Sequence, residues 1–239
     1  MAADMELMLA RLKKLGLVAS TAAVALLSAC GSGSEQLSNY DFLKETAGQL
    51  VQQQGNKGPK PLKINRKLLD NTREAVLMGT PEISGQSALL RRVARRNDQY
   101  AGTLEVWLAS NAAQVAFRNG VATGSKGLGA DIQSSDVSQT LSRLAARQTG
   151  PTQRRLYFIR GDNAQVVVEM NCNMADLGTE SVTIVDQSFA LRHFRESCQT
   201  EGATYTYDYW LDTSNSLIRK SRQWMGPTNG YFEYVLLKT

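Results

Sequence analysis

The chain has 239 residues, 42% of them apolar and 21% charged, with a formal net charge of +5. That length is enough for one domain with a sizeable core. The mild basicity, without any long block of like charges, does not predict a nucleic-acid partner, none is expected, and acidic polysaccharide or lipid headgroups are left as partners the surface tolerates.

Arg11, Lys13 and Lys14 precede an apolar run from Leu15 to Ala29. The run is signal-peptide length and too short to span a bilayer. Leu27-Ser28-Ala29-Cys30 has the large-small-small-Cys order of a lipobox, so residues 1–29 read as a lipoprotein signal and Cys30 as the lipid-modified mature N-terminus. A diacylglycerol thioether and an extra acyl chain on Cys30 anchor firmly, because each buried CH₂ contributes roughly 0.8 kcal/mol. Gly31, where an Asp would retain such a protein, points to the outer membrane. The competing reading is an ordinary secretory signal with a chance Cys. Asp4 and Glu6 are unusual in an n-region, which leaves Met5 and Met8 as alternative starts.

Residues 30–38 are a polar, Gly/Ser-rich tether, and 39–239 read as a single domain. Asn39 to Gln54 predicts a short helix, with Tyr40, Phe42, Leu43, Leu50 and Val51 as its apolar members, ended by the Gly/Pro-rich stretch from Gly55 to Pro61. Arg91-Arg92-Val93-Ala94-Arg95-Arg96 is the densest basic patch. It reads first as a solvated helix or loop face and second as a contact for anionic lipid or glycan.

From about residue 100 the hydrophobic period becomes two. Thr103 to Leu108 and Gln114 to Arg118 form a strand pair, and Asn119-Gly120 turns tightly into Val121-Ala122-Thr123. The spaced glycines of Gly124 to Asp131 precede no Rossmann-type helix, so they read as a loop with unusual backbone angles. Ser138 to Gln148 is the clearest helix, with Leu141, Leu144 and Ala145 on one face and Asp136 or Ser138 as cap. Arg160-Gly161-Asp162 matches the integrin tripeptide, yet Gly161-Asp162-Asn163 is what a hairpin turn between two strands requires anyway. Further strands follow at 165–170, 181–185, 189–196, 204–211, 217–224 and 231–237. The expected fold is mostly β: an antiparallel sandwich or half-open barrel with one packed helix and the short N-terminal helix.

With Cys30 assigned to lipid, Cys172 and Cys198 remain. In an oxidising compartment the pair reads as a disulfide, closing a loop of about 26 residues for roughly 3.5 kcal/mol. A catalytic or metal-binding thiol would need a base or further ligands, and the chain has one histidine. That residue, His193, sits mid-strand with no nucleophile motif beside it and reads as structural or surface. No catalytic motif, metal-ligand spacing or phosphate-binding glycine loop is present, so catalytic residues, metal and cofactor are all expected to be absent.

The C-terminal third is the most informative. Tyr209-Trp210-Leu211-Asp212, a turn, Leu217 to Trp224, Gly226-Pro227 and a last strand make a β-meander in which Asp212 accepts turn amides and the indoles bury large areas. Several pieces together resemble the YjbF/GfcB family of exopolysaccharide and group 4 capsule lipoproteins. They are the lipobox Cys30, Glu105-Val106-Trp107, Arg118-Asn119-Gly120-Val121, Gly127-Leu128-Gly129-Ala130-Asp131, Glu196-Ser197-Cys198, Asp208 to Asp212 and Lys220-Ser221-Arg222-Gln223-Trp224-Met225-Gly226-Pro227. The family often carries Thr-Arg-Gly-Leu-Gly where this chain has Gly124 to Gly129, so any basic role in that loop rests on Lys126.

The resemblance implies a periplasm-facing outer-membrane lipoprotein acting in capsule or exopolysaccharide production or export. Its partners would be the polymer or other export proteins, and it brings no catalytic residues with it. Trp210, Asp212, Ser221, Arg222, Gln223 and Trp224 are expected to be a structural and binding element: they contain no histidine and one carboxylate, too little for a charge relay or for glycoside hydrolysis. Two other readings compete. In a periplasmic glycan-modifying enzyme, Trp107, Trp210, Trp224 and Tyr231 would stack on sugars; in a lipid or apolar-ligand carrier, an apolar cavity of several hundred cubic ångströms would be present. A polar groove lined with aromatics and a carboxylate pair would favour the enzyme.

Overall fold

The structure, a computed structural model, describes residues 64–239. The signal, Cys30, the tether and the helix expected at 39–54 lie outside the described residues. A short helix α1 (Arg66–Asn71) precedes β1 (Val76–Pro81), β2 (Ala88–Arg96), β3 (Leu104–Ala109), β4 (Gln114–Arg118), β5 (Val121–Lys126) and β6 (Ile132–Asp136). Helix α2 (Ser138–Ala146) follows, then β7 (Gly150–Ile159), β8 (Gln165–Ile184), β9 (Gln187–Gln199), β10 (Thr204–Asp212), β11 (Ile218–Trp224) and β12 (Tyr231–Lys238).

Neighbours in sequence pair antiparallel, and β12 returns to β1, giving the order β5-β4-β3-β2-β1-β12-β11-β10-β9-β8-β7-β6. The two ends of that row meet: a Cβ on Gly124 in β5 would lie 3.4 Å from the Ile132 carbonyl oxygen in β6. The result is a nearly closed, up-and-down twelve-stranded barrel, the mostly-β antiparallel class expected from the period-two pattern. Along β10, Tyr207, Tyr209 and Leu211 are buried in the interior while Trp210 faces out. The outer surface carries ion pairs such as Arg155–Glu169, Lys220–Glu233 and Arg222–Glu82. A packed apolar interior with a charged outside is the reverse of a transmembrane barrel.

Local chemistry explains the connections. Asn119 and Gly120 both have positive φ, 46° and 84°, the geometry of a primed hairpin turn whose twist matches the strands. Helix α2 buries Thr140, Leu141 and Leu144; its N-cap falls on Val137, which has no side-chain cap, rather than on Asp136 or Ser138, and Asp136 instead accepts the Ser138 amide at 3.0 Å from one residue before the cap. Cys172 and Cys198 are opposed in β8 and β9 and joined by a disulfide.

Three expectations need correction. The Arg91–Arg96 segment is neither helix nor loop but the end of β2: Arg91 pairs with β1, and the segment runs on along β3 to Arg96, a pairing that overrides its poor strand propensity. A bulge between Arg92 and Ala94 sets Arg92 opposite Trp107 and Arg95 opposite Glu105, so two arginines turn toward the barrel interior. Residues 165–170 and 181–185 belong to one strand, β8, because Gly178 (φ 92°) sits in a bulge between Asp176 and Thr179 and does not end the ladder. Strands β1 and β6 carried no clear alternation and were not expected. The far half of the β8–β9 hairpin and α1 cover the outer faces of β1 and β12, where Leu69, Val76, Ile184, Val235 and Leu237 form a second small core.

Candidate functional site

Alternation along the strands divides the C-terminal motif between the two faces of the barrel wall. Trp210 and Arg222 face outward, whereas Ser221, Gln223 and Trp224 are buried. Gln223 is fully buried, accepts from the Ala122 amide at 2.8 Å and donates to the Gly120 carbonyl and the Ser221 hydroxyl at 2.8 and 2.9 Å. It thereby latches β11 to the β4–β5 turn across the barrel. Arg222 pairs with Glu82 and lies over the Tyr231 ring. Trp224 packs against Tyr205 and Phe158. The other resemblance motifs are fasteners of the same kind. Asp131 accepts from Ser125, Gly127 and Leu128, and the Ala130 amide donates to Thr228 beside Gly226-Pro227. Arg118 clamps Asp98 through two nitrogens. Lys126 is exposed.

Asp212 accepts from the Ser214 amide and hydroxyl at 3.0 and 2.6 Å, from Asn215 at 3.2 Å, and from Arg219 at 2.9 and 3.0 Å. Burial works against its charged form, but the Ser214 groups and the Arg219 guanidinium outweigh burial and hold the carboxyl below its ordinary 3.8. The stability this group contributes is present above that ordinary value and is lost as pH falls through the lower, folded one. Asp212→Ala is therefore expected to cost about 2 kcal/mol at neutral pH. In urea titrations the gap from wild type should close as the pH drops below 3.8.

His193 is better connected than its mid-strand position suggests. On the outer face its Nε2 lies 2.7 Å from Asp208, its Nδ1 3.3 Å from Glu180, and its ring stacks on Trp210 at 4.2 Å. Asp208 also accepts from Arg195 at 2.8 Å, and Lys220 covers the indole at 5.0 Å. Both imidazole nitrogens are thus engaged by carboxylates.

A buried polar network missed in the sequence lies inside the barrel. Glu196, fully buried, binds Arg154 at 3.0 Å, Thr152 at 2.5 Å and Thr140 of α2 at 2.8 Å, while Arg154 donates to Tyr209 at 2.9 Å and stacks over Tyr207 at 3.9 Å. Burial opposes the Arg154 charge, but Tyr209, Tyr207 and Glu196 around it hold it charged; burial also pushes both phenols up, so they stay neutral. Among the described residues, Cys172, Glu196 and Cys198 form a cluster with metal-ligand spacing. Its sulfurs are bonded to each other and its carboxylate is held by Arg154, so its donors are already engaged.

Among the described residues, two cavities share Tyr234 as a wall. One, of about 220 Å³, opens at the barrel end that carries the β4–β5 and β10–β11 turns; Trp107, Phe117, Ser221 and Tyr234 line it, with Arg95 and Glu105. The other, of about 620 Å³, lies toward the opposite end, lined largely by apolar residues including Leu90, Ala109, Val115 and Phe232. Tyr234 lines both. Gly79 makes room for it: a Cβ there would sit 3.2 Å from the Tyr234 ring. The Tyr234 hydroxyl is buried with no protein partner. Neither Tyr234 nor the inward turn of Arg95 was evident in the sequence, although Tyr234 shares the alternation of Phe232 and Leu236.

Among solved structures, the lipoprotein YmcC of Escherichia coli K12 is similar at a TM-score of 0.63 and 16% identity, covering 86% of this chain and 98% of that one. At that identity the likeness shows the fold. An exported protein of Bacteroides fragilis with a YmcC-like fold matches at a TM-score of 0.26 and 10% identity, over 70% of this chain and 96% of its own. No curated protein sequence matches. The family model described as group 4 capsule polysaccharide lipoprotein gfcB, YjbF, matches residues 38–237, and the chain therefore belongs to the YjbF family of group 4 capsule polysaccharide lipoproteins.

Proposed function

We propose that this lipoprotein is a non-enzymatic accessory factor in capsule or exopolysaccharide production or export. It is anchored by lipid on Cys30 to the periplasmic face of the outer membrane, and its barrel serves as a binding module for the polymer or for another export component. The observation that carries this reading is that its chemistry-bearing side chains are engaged with one another. Asp212 holds its turn, Gln223 latches strands, His193 is flanked by two carboxylates, and Glu196 is consumed by Arg154 and two threonines. The cavity at the barrel end is open to a ligand. The lipobox and Gly31 support the membrane assignment.

The test is deletion of the gene and measurement of surface polysaccharide, with complementation by wild type or Cys30→Ser. Deletion should lower surface polymer, wild type should restore it, and Cys30→Ser, which carries no fatty-acid label, should not. Unchanged polymer on deletion contradicts the accessory role; restoration by Cys30→Ser contradicts the anchored one. The 620 Å³ apolar cavity favours a second reading, carriage of an apolar ligand. Saturable displacement of a fluorescent fatty acid by an apolar ligand from the purified protein would favour that reading.

A further inference from the structure

We propose that the 220 Å³ cup binds a single sugar ring bearing an anionic substituent, as one residue of a longer chain. This rests on the binding role proposed above and names its ligand class. The size comes first: at about 220 Å³ the cup is the smaller of the two cavities that Tyr234 lines, with room for a single ring. Its wall chemistry comes next. Trp107, Phe117 and Tyr234, each 3% exposed or less, form its apolar floor. Glu105 and Ser221 offer acceptors and a hydroxyl around the same space. The cup opens between turn residues, where Asn215 and Ser216 are exposed, so a chain can enter while one of its residues is seated.

Two side chains point to a ligand rather than to structure. Tyr234 is 2% exposed and its hydroxyl meets no protein group. Burial pushes the phenol well up, so at any physiological pH it is an O–H donor awaiting an acceptor. Arg95 is the other. It shares Glu105 with Arg92, but Arg92 makes the close contact at 2.8 Å while Arg95 stands off at 3.4 Å with its side chain 64% exposed. Its exposed guanidinium lines the cup, where a carboxylate on the sugar would be taken in bidentate fashion.

The experiment uses the full mature lipoprotein in detergent, titrated calorimetrically at physiological salt with oligogalacturonate and with a neutral galactan fragment of equal length. The acidic oligomer should bind at least about tenfold more tightly, the worth of one charge-assisted contact. Arg95→Ala should erase that preference. Tyr234→Phe should weaken both ligands by about tenfold while leaving the denaturation midpoint equal to or above that of wild type, because the lost hydroxyl had no protein partner. Arg160→Ala, on a turn at the far end of the barrel, should change neither. Absence of binding by either oligomer, equal affinity for the two, or wild-type binding by Tyr234→Phe would overturn the proposal. A surviving deletion phenotype with no saccharide binding would reject this ligand class and leave the accessory role standing.

Discussion

Trp224→Ala is expected to lower the unfolding free energy by about 3–5 kcal/mol, the range for emptying a buried aromatic site. The indole is 5% exposed, meets Phe158 edge-to-face at 6.1 Å and tilts onto Tyr205 at 4.4 Å. It also precedes the Gly226-Pro227 loop, whose Asn229 donates to the Met225 carbonyl at 3.1 Å and whose Thr228 accepts from Ala130. A cavity at this position therefore undermines both β7 and the far-end loop contact, and little can collapse to fill it. With total stability of about 5–15 kcal/mol for a typical domain, the variant should be scarce in the cell and surface polymer should fall with it. Chemical denaturation of the purified variant checks the figure, and a loss under about 1 kcal/mol would mean that the ring does not carry the packing assigned to it. Trp224→Phe should recover more than half.

The second large effect is expected at Glu196. Its removal leaves Arg154, 2% exposed, charged and without its carboxylate, and breaking a buried pair from one side costs about 3–5 kcal/mol. Thr140 and Thr152 lose their acceptor at the same time, which loosens α2 from the barrel wall. Glu196→Ala should therefore unfold at markedly lower denaturant. The double replacement Arg154→Met with Glu196→Leu should recover most of the loss, because apolar groups of similar volume avoid desolvating two charges. Equal damage from the double and single variants would show that the threonine contacts, not the charge pair, hold α2 in place.

How far these features were legible in the sequence follows from which physical signal each leaves. Strands with a strict inside/outside pattern, such as β10 with Tyr207, Tyr209 and Leu211 against Trp210, declare themselves, and so does α2 with Asp136 before its Leu141–Leu144 face. Asn119-Gly120 declares a turn through its positive φ angles. Strand β2 does not, because its arginines belong to the rim of the barrel, where strand pairing supplies the order and the apolar pattern fails. Glu196 lies two residues from Cys198 and so shares its inward face, but a lone carboxylate beside an apolar pattern does not announce Arg154, which is distant in sequence. The same holds for the motif around Trp210 to Pro227. Its residue types are evident, yet only the barrel separates Trp210 and Arg222 from Ser221 and Gln223 and shows that their partners are Glu180, Glu82 and Gly120. The cup is least legible of all, since Arg95, Glu105, Phe117 and Tyr234 converge from four strands.

The most direct test of a binding, non-catalytic barrel is to incubate the purified lipoprotein with the polysaccharide of its own host and resolve the mixture by size. The expected result is protein co-migrating with a polymer whose length distribution is unchanged; polymer shortened in proportion to time and protein would contradict it and establish an enzyme.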